Sequence, residues 1–257
     1  TGPFVGRVVA TLDEVDVLLE RWYARMGVWG GSVVIALVLM FVVFHYVLGG
    51  TKTFSHGELY TALSNNPFDP NSSNALRTRI LAPLIGWVFH LRGPLFVLVP
   101  WIFLVGLLAL VNVWSRREGA NPTLGLCLML AIAFSPVTMH TLVGPGYIEA
   151  VSYFLVGMAL LNVQNAVPAC IYMALAVMAH EASAFLVPAW LMAGLRGMPT
   201  KMWFRRIALL CMFLLPYAAY RWWVVQVDLG VYSTTFYFSA ENVEACLDVG
   251  PLASVMG

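Results

Sequence analysis

Long apolar runs dominate this sequence and constrain its fold more than any other feature. Apolar residues make up 60% of the 257 residues, and charged residues make up only 11%. A helix needs about 20 mostly apolar residues to cross a bilayer, and by that measure the chain contains about six crossings. We therefore predict an all-α, polytopic transmembrane helical bundle that forms a single membrane domain over residues 1–257.

The apolar runs differ in length, and the differences set the predicted path of the chain. Five runs have roughly the length of one crossing: 28–48, 94–114, 123–142, 147–163 and 207–225. The run 167–195 is long for one span and carries His180-Glu181 near its middle. A helix running through Ala75 and Arg77 into 80–91 is too short to cross, so we predict an interfacial or re-entrant segment. Residues 228–257 form a mixed tail that we place at the interface.

Basic residues cluster at three places beside the predicted spans. The clusters are Arg7, Arg21 and Arg25, then Arg116 and Arg117, then Arg196, Lys201, Arg205 and Arg206. The positive-inside rule puts them on the cytoplasmic face, so we predict a cytoplasmic N-terminus in a bacterial inner membrane. A single crossing by 167–195 would put the third cluster outside. A helix pair that enters and returns, broken near His180, restores consistency, and both paths stay open.

The first 26 residues predict an amphipathic helix. Thr11 followed by Glu14 is a capping-box pattern, which places the helix start near Thr11. The apolar residues that follow share one helical face: Leu12, Val15, Leu18, Leu19 and Trp22. We predict an interfacial helix with Arg21 and Arg25 near the lipid headgroups. An ordinary cytosolic helix packed on a neighbour explains the pattern equally well.

Residues 50–92 form a polar first extracytoplasmic loop with a short helix. Ionisable groups beside a membrane are costly and usually have a role or a partner. Asp69 lies between Pro67 and Pro70, which restrict the backbone around it. This carboxylate could act as a general base or hold a divalent cation. The alternative is an Asx-type turn.

Other polar residues of the same predicted face are candidates for binding. Arg77 and Arg79 suit phosphate recognition at the depth of a lipid headgroup, with snorkelling as the alternative. His180 and Glu181 point about 100° apart on a helix, so each needs its own partner, either substrate or another helix. The remaining candidates are His56, Glu58 and Glu149; solvation of loops at the headgroups is the alternative for this whole set.

Several classes of site receive little support. The sequence has no GxSxG, HExxH, P-loop or GxGxxG motif, and its four cysteines lack metal-ligand spacing. His45, His140 and His180 would permit a haem between facing helices, although their spacing does not require one. The basic clusters lie beside membrane spans, so we expect no nucleic-acid partner. We expect no cleavable signal peptide at the start. Because the sequence starts at Thr1 without Met, we expect a piece of a longer chain.

Three stretches resemble the membrane glycosyltransferases of the C-type fold: 66–84, 146–161 and 178–191. The resemblance implies a polyprenyl-phosphate sugar as donor, with membrane lipids and the lipid-linked donor as partners. It implies that Asp69 or Glu58 is the first-loop acid that deprotonates the acceptor, and that Arg77 and Arg79 contact the lipid phosphate. Glu149, His180 and Glu181 would shape the pocket. The alternative is a non-catalytic accessory or structural subunit of a larger membrane complex, with or without haem or pigment.

Overall fold

The computed structural model describes residues 3–48, 55–69, 75–144, 146–195 and 199–227. Within these ranges every regular element is helical, as the apolar runs predict. The tail 228–257 and the basic residue Arg196 lie outside the described residues. The predictions that fall on them stay predictions.

The described ranges contain helices of very different length. The α-helices are α1 Pro3–Val42, α2 Ser55–Leu63, α3 Leu81–Val88, α4 Leu98–Arg117, α5 Pro122–Ala133, α6 Pro136–Val143, α7 Glu149–Leu161, α8 Ala166–Ala179, α9 Val187–Leu195 and α10 Thr200–Val227. A π-helical turn, Val43–Leu48, extends α1. Short 3-10 segments cover Ala75–Thr78, Gly93–Val97 and Glu181–Leu186.

Three helical segments are long and apolar enough to cross a bilayer: Ala10–Leu48, Gly93–Arg117 and Thr200–Val224. Helices α5 and α6 together pass the same test, but they meet at a bend of 54°. Helices α7 and α8 and the segment Glu181–Leu195 are apolar and shorter. The chain is therefore an integral membrane protein built from helices, while the total of about six crossings stays a prediction.

The predicted span 123–142 is broken between α5 and α6, and Pro136 explains the break. Proline has no N–H and its ring clashes with the carbonyl four residues before it, which is that of Ile132. The hydroxyl of Thr138 donates instead to the Ile132 carbonyl at 2.8 Å. Pro136 thus begins α6, where its missing N–H costs nothing.

Pro83 has a similar effect before α3. The predicted helix through Arg77 into 80–91 is not continuous, because 3-10 turns end at Thr78 and α3 begins at Leu81. A helix passing through Arg79 would bring the Arg79 carbonyl against the Pro83 ring. Arg79 therefore lies in a short non-helical connection, which frees its side chain to turn toward other helices.

The N-terminal helix also differs from the prediction. It begins at Pro3, and the Thr11 hydroxyl donates to the Arg7 carbonyl at 3.0 Å inside the helix. The predicted start at a Thr11 capping box is therefore wrong. A non-helical residue, Gly27, with φ 72° and ψ 154°, separates an N-terminal limb from the membrane-spanning part. Glycine tolerates this positive φ, which other residues rarely adopt.

Helix α4 lies at the centre of the bundle. It packs against α1, α5 and α7, and α7 in turn packs on α8, which contacts α10. Leu104 and Leu108 of α4 are fully buried. Gly157 allows the close approach of α7, because a side chain there would meet Leu110. The buried apolar residues form four clusters between these helices.

The bundle has one end that is rich in arginine, which we call the basic end and define by Arg116, Arg117 and Arg206. Arg117 donates to the Leu161 carbonyl at 3.4 Å, and Arg206 donates to the Gln164 carbonyl at 3.4 Å. These contacts bring the ends of α4 and α7 and the start of α8 and α10 together. The predicted basic clusters that the structure describes therefore share one end, while its cytoplasmic assignment stays a prediction.

The segment 167–195 runs away from the basic end and returns to it. Helix α8 starts beside Arg206, where the Cys170 thiol lies 3.6 Å from the Arg206 carbonyl oxygen. It ends at Ala179, and His180 is extended, with φ −154° and ψ 119°. Gly194, near the end of α9, lies against the Arg206 guanidinium. The chain therefore turns back at His180.

Candidate functional site

A polar cluster lies at the end of the bundle opposite the basic end. We define it by Tyr60, Arg79, Glu149, His180 and Glu181. Arg79 forms a two-pronged ion pair with Glu181, in which Nε lies 3.1 Å from Oε2 and Nη2 lies 3.0 Å from Oε1. Its Nη1 donates to the Tyr60 hydroxyl at 3.1 Å. One guanidinium thus joins α2, the connection before α3 and the turn after α8.

Burial and pairing act in opposite directions on the two charges of this ion pair. Burial by itself would lower the pKa of Arg79 and raise the pKa of Glu181. The hydrogen bonds between them outweigh burial, so the pKa of Arg79 is raised and that of Glu181 is lowered. Both groups are therefore charged at neutral pH, and the pair has no net charge.

His180 occupies the break that follows α8. Its Nδ1 accepts a hydrogen bond from the Ala182 N–H at 3.2 Å and so caps the 3-10 segment Glu181–Leu186. Burial and the neighbouring Arg79 charge lower the pKa of His180. The imidazole is therefore neutral at pH 7, with its proton on Nε2 because Nδ1 is an acceptor.

Glu149 begins α7, where a carboxylate is stabilised by the helix dipole. Gly146, with φ 93°, precedes it, and a side chain there would collide with the Gly57 carbonyl of α2. This close approach fixes the start of α7 against α2. The Oε2 atom of Glu149 is buried and makes no hydrogen bond within the described residues. A ligand group with a donor would satisfy it.

Buried hydroxyl groups hold the surrounding elements in register. Ser152 of α7 and Ser183 of the 3-10 segment share a hydrogen bond of 2.6 Å, and both are buried. The hydroxyl groups of Tyr217 and Tyr220 in α10 donate to the carbonyls of Thr78 and Arg77, at 2.8 and 3.0 Å. The connection that carries Arg79 is thereby attached to α10.

The structure separates the two predicted acids. Glu58 is exposed on α2, while Tyr60, about 200° further around the same helix, is buried and faces the cluster. Glu58 therefore points away from the cluster. Asp69 is partly buried in the turn after α2, where its N–H donates to the Asn66 carbonyl at 3.3 Å. The adjacent Phe68 ring packs edge-on against Tyr220, which connects this turn to α10.

The remaining predicted binding residues fall into two groups. Arg79, Glu149, His180 and Glu181 meet in the cluster. Arg77 is 3% exposed and lies beneath the surface. The backbone of His56 belongs to α2, and its side chain lies outside the described residues. Four of the predicted residues thus come together although up to 102 positions separate them, while Glu58 and Arg77 do not join them.

Sequence reasoning missed five residues that build the site: Tyr60, Ser152, Ser183, Tyr217 and Tyr220. A signal was present for the last pair, since two tyrosines three residues apart share a helical face at the end of the apolar run 207–220. The two serines carry no comparable signal, because small hydroxyl residues are common in membrane helices.

The structure gives no metal or haem geometry among the residues it describes. No three His, Cys, Asp or Glu side chains of the described ranges approach closely enough to hold a metal ion. His45 is exposed and stacks on Phe41 with ring centroids 5.7 Å apart, and His140 is exposed near Tyr147. The divalent cation and the haem stay predictions.

Comparison of the chain with protein-family models, with curated proteins and with solved structures finds no match. Function is therefore inferred from the residues of the polar cluster and from their geometry.

Proposed function

We propose that the protein transfers a sugar from a polyprenyl-phosphate donor at the membrane surface where the polar cluster lies. The observation that carries the proposal is the meeting of all three stretches that resemble C-type glycosyltransferases. Arg79 of 66–84 binds Glu181 of 178–191, and Ser183 of the same stretch binds Ser152 of 146–161. Distant stretches with a shared resemblance thus contribute to one site.

Arg79 is the residue that contacts the donor phosphate in this proposal. A guanidinium has five N–H groups, and Glu181 and Tyr60 engage three of them. One N–H on Nη1 and one on Nη2 are left for a phosphate oxygen. The side chain is 18% exposed, so it is held rigidly and still reaches the surface. Such preorganised donors stabilise developing charge without reorganisation.

Asp69 is the general base, since Glu58 points away from the cluster. The acceptor hydroxyl oxygen attacks the anomeric carbon and forms the new glycosidic bond, while its proton passes to the Asp69 carboxylate. The bond between the anomeric carbon and the phosphate oxygen breaks, and polyprenyl phosphate leaves with the electron pair. Arg79 stabilises the negative charge that grows on the leaving phosphate, and Glu149 accepts a hydrogen bond from the sugar.

Transfer from labelled polyprenyl-phosphate hexoses to membrane acceptors tests the proposal with two matched substitutions. Asp69→Asn should lower the rate by about 10²–10⁴-fold, because it removes the base. Glu58→Gln, also in the first loop, should leave the rate nearly unchanged. Full transfer by Asp69→Asn would refute this mechanism, and so would a loss of transfer in Glu58→Gln alone. Absence of transfer by the unmodified protein with every donor would favour the accessory-subunit alternative.

A further inference from the structure

We propose that the N-terminal limb of α1, residues 3–26, lies in the membrane plane with its apolar face in contact with phospholipid. The apolar face consists of six residues: Val8, Leu12, Val15, Leu19, Trp22 and Met26. Their spacing alternates between four and three residues, which places all of them on one side of the helix. This proposal concerns the basic end and does not depend on the proposed function.

The limb bends sharply away from the membrane span. In a straight helix, Tyr23 and Gly31 would be about 12 Å apart along the axis. The rings of Trp22 and Tyr23 instead lie so close to Gly31 that a side chain at Gly31 would meet them at 2.7 Å. The non-helical Gly27 makes this approach possible. The limb therefore folds back toward the bundle and does not extend the span.

Polar contacts hold the limb across the basic end. The amide of Asn112 in α4 donates to the Tyr23 hydroxyl at 3.0 Å. Glu20 pairs with Arg116 at the end of α4. Asp16 accepts the Thr123 N–H at 2.7 Å at the start of α5. From Tyr23 back to Asp16 along the limb, the contacts shift from α4 to the start of α5. The limb therefore crosses the turn between these helices, at the end of a membrane span.

The apolar face is adjacent to this docked side; Val15 and Leu19 are partly buried, and the other four residues of the face are exposed. Val8, Leu12 and Met26 are 43%, 44% and 47% exposed. Beyond Gly27, the apolar side chains of Trp29, Leu37 and Phe41 in the span are exposed as well. The flank away from the docked side carries Arg7, Arg21 and Arg25. Arginines at that edge reach headgroup phosphates while their stems stay apolar. Phospholipid is therefore the partner that this face fits.

Two valines provide a matched test. Val8 and Val17 are nine residues apart, which turns them by about 180° on a helix, and they are 43% and 50% exposed. A nitroxide is attached at Val8→Cys or at Val17→Cys, with Cys127, Cys211 and Cys246 replaced by alanine and the buried Cys170 kept. The protein is reconstituted in phosphatidylcholine and phosphatidylglycerol vesicles. Collision with oxygen, which enriches in lipid, is compared with collision with a water-soluble nickel chelate.

We expect the ratio of oxygen to nickel collision to be several-fold higher at Val8 than at Val17. Equal ratios at the two positions would overturn the proposal, as would the reverse order. Dipolar broadening at Val8 that disappears on dilution with unlabelled protein would assign the face to a second copy and would also overturn it. Fluorescence quenching by brominated lipid gives a second readout in which all native cysteines are kept. The contribution of Trp22 is the difference in quenching between the unmodified protein and Trp22→Phe. Equal quenching of the two proteins would contradict contact between Trp22 and lipid.

Discussion

Arg79 is partly buried and Arg206 is fully buried in the same membrane bundle, and their surroundings differ. Arg206 is 1% exposed, and its Nε and Nη1 make no hydrogen bond within the described residues. It lies beside Gln164 and Gly194, close to the C-terminal ends of α7 and α9, whose partial negative charge favours a cation. The Arg79 guanidinium binds the Glu181 carboxylate and the Tyr60 hydroxyl, and its side chain reaches the surface.

The contrast indicates what the acids of the polar cluster are for. Among the described residues, Arg206 is buried beside helix ends and one carbonyl, without an acidic partner. The polar cluster adds Glu181 and Glu149 and keeps Arg79 partly exposed. We therefore interpret Arg206 as a structural residue and Arg79 as a residue held ready for an anionic ligand.

Replacing each arginine by methionine tests this difference directly, and the change in transfer rate at Arg79 is the largest effect that we expect. Arg79→Met should lower sugar transfer by about 10²–10³-fold, the usual cost of losing one preorganised donor to developing charge. Arg206→Met should leave transfer nearly unchanged, since methionine fills the sealed site and no acid is left unpaired. The assay is the transfer rate from labelled donor in vesicles.

The thermal stability of both variants is the control for this pair. A variant that unfolds at the assay temperature would lose activity for a trivial reason, so transfer is measured well below each Tm. Equal loss of transfer in both variants, with both folded, would contradict the distinction between a structural and a ligand-binding arginine.

The hydroxyl pair Ser152–Ser183 gives an intermediate effect and tests how the cluster is held. Ser152→Ala should destabilise the protein by about 1–3 kcal/mol, because the buried Ser183 hydroxyl loses its partner. The double variant Ser152→Ala/Ser183→Ala should be closer to the unmodified protein than either single variant. Additive losses in a denaturation cycle would show that the two hydroxyls do not pair.

Fold class could be predicted from the sequence because hydropathy is a property of whole segments. The runs at 28–48 and 94–114 coincide with the long helices. The breaks in other runs depend on backbone chemistry within a few residues. At Pro136 the missing N–H interrupts the helix although the sequence on both sides is apolar. The number of crossings depends on how α7, α8 and α9 sit in lipid, which hydropathy alone does not determine.

The sequence could place most members of the polar cluster at one predicted face, but it could not show which of them pair. Arg79 and Glu181 are 102 positions apart, and no local pattern connects them. The sequence could indicate that Glu181 needs a partner, since an ionisable group in an apolar run is costly, but it could not identify that partner. Tyr60 escaped notice because its helix is short and its neighbours are polar.

Acidification should produce the smallest effect, through His180. The ordinary pKa of this group is 6.5 and burial lowers its pKa in the folded protein. Between the lowered value and 6.5, the unfolded chain binds more protons than the folded one, so stability falls as pH decreases through this window. Protonation also removes the Nδ1 acceptor of the Ala182 N–H.

The measurement is Tm between pH 7.5 and 5 for the unmodified protein and for His180→Asn. Asparagine keeps a cap acceptor and does not titrate in this range. The unmodified protein should lose more Tm on acidification than the variant. An identical pH dependence of the two proteins would show that His180 is not the titrating group, and would remove it from the account of the cluster.

A cryo-EM map of the purified protein with added polyprenyl phosphate tests the central claim most directly. We predict phosphate density against the two remaining N–H groups of Arg79, near the turn that carries Asp69, and none at Arg206. Phosphate density confined to the basic end, or a polar cluster covered by protein with lipid excluded, would contradict the claim that Arg79 is built to receive a lipid phosphate.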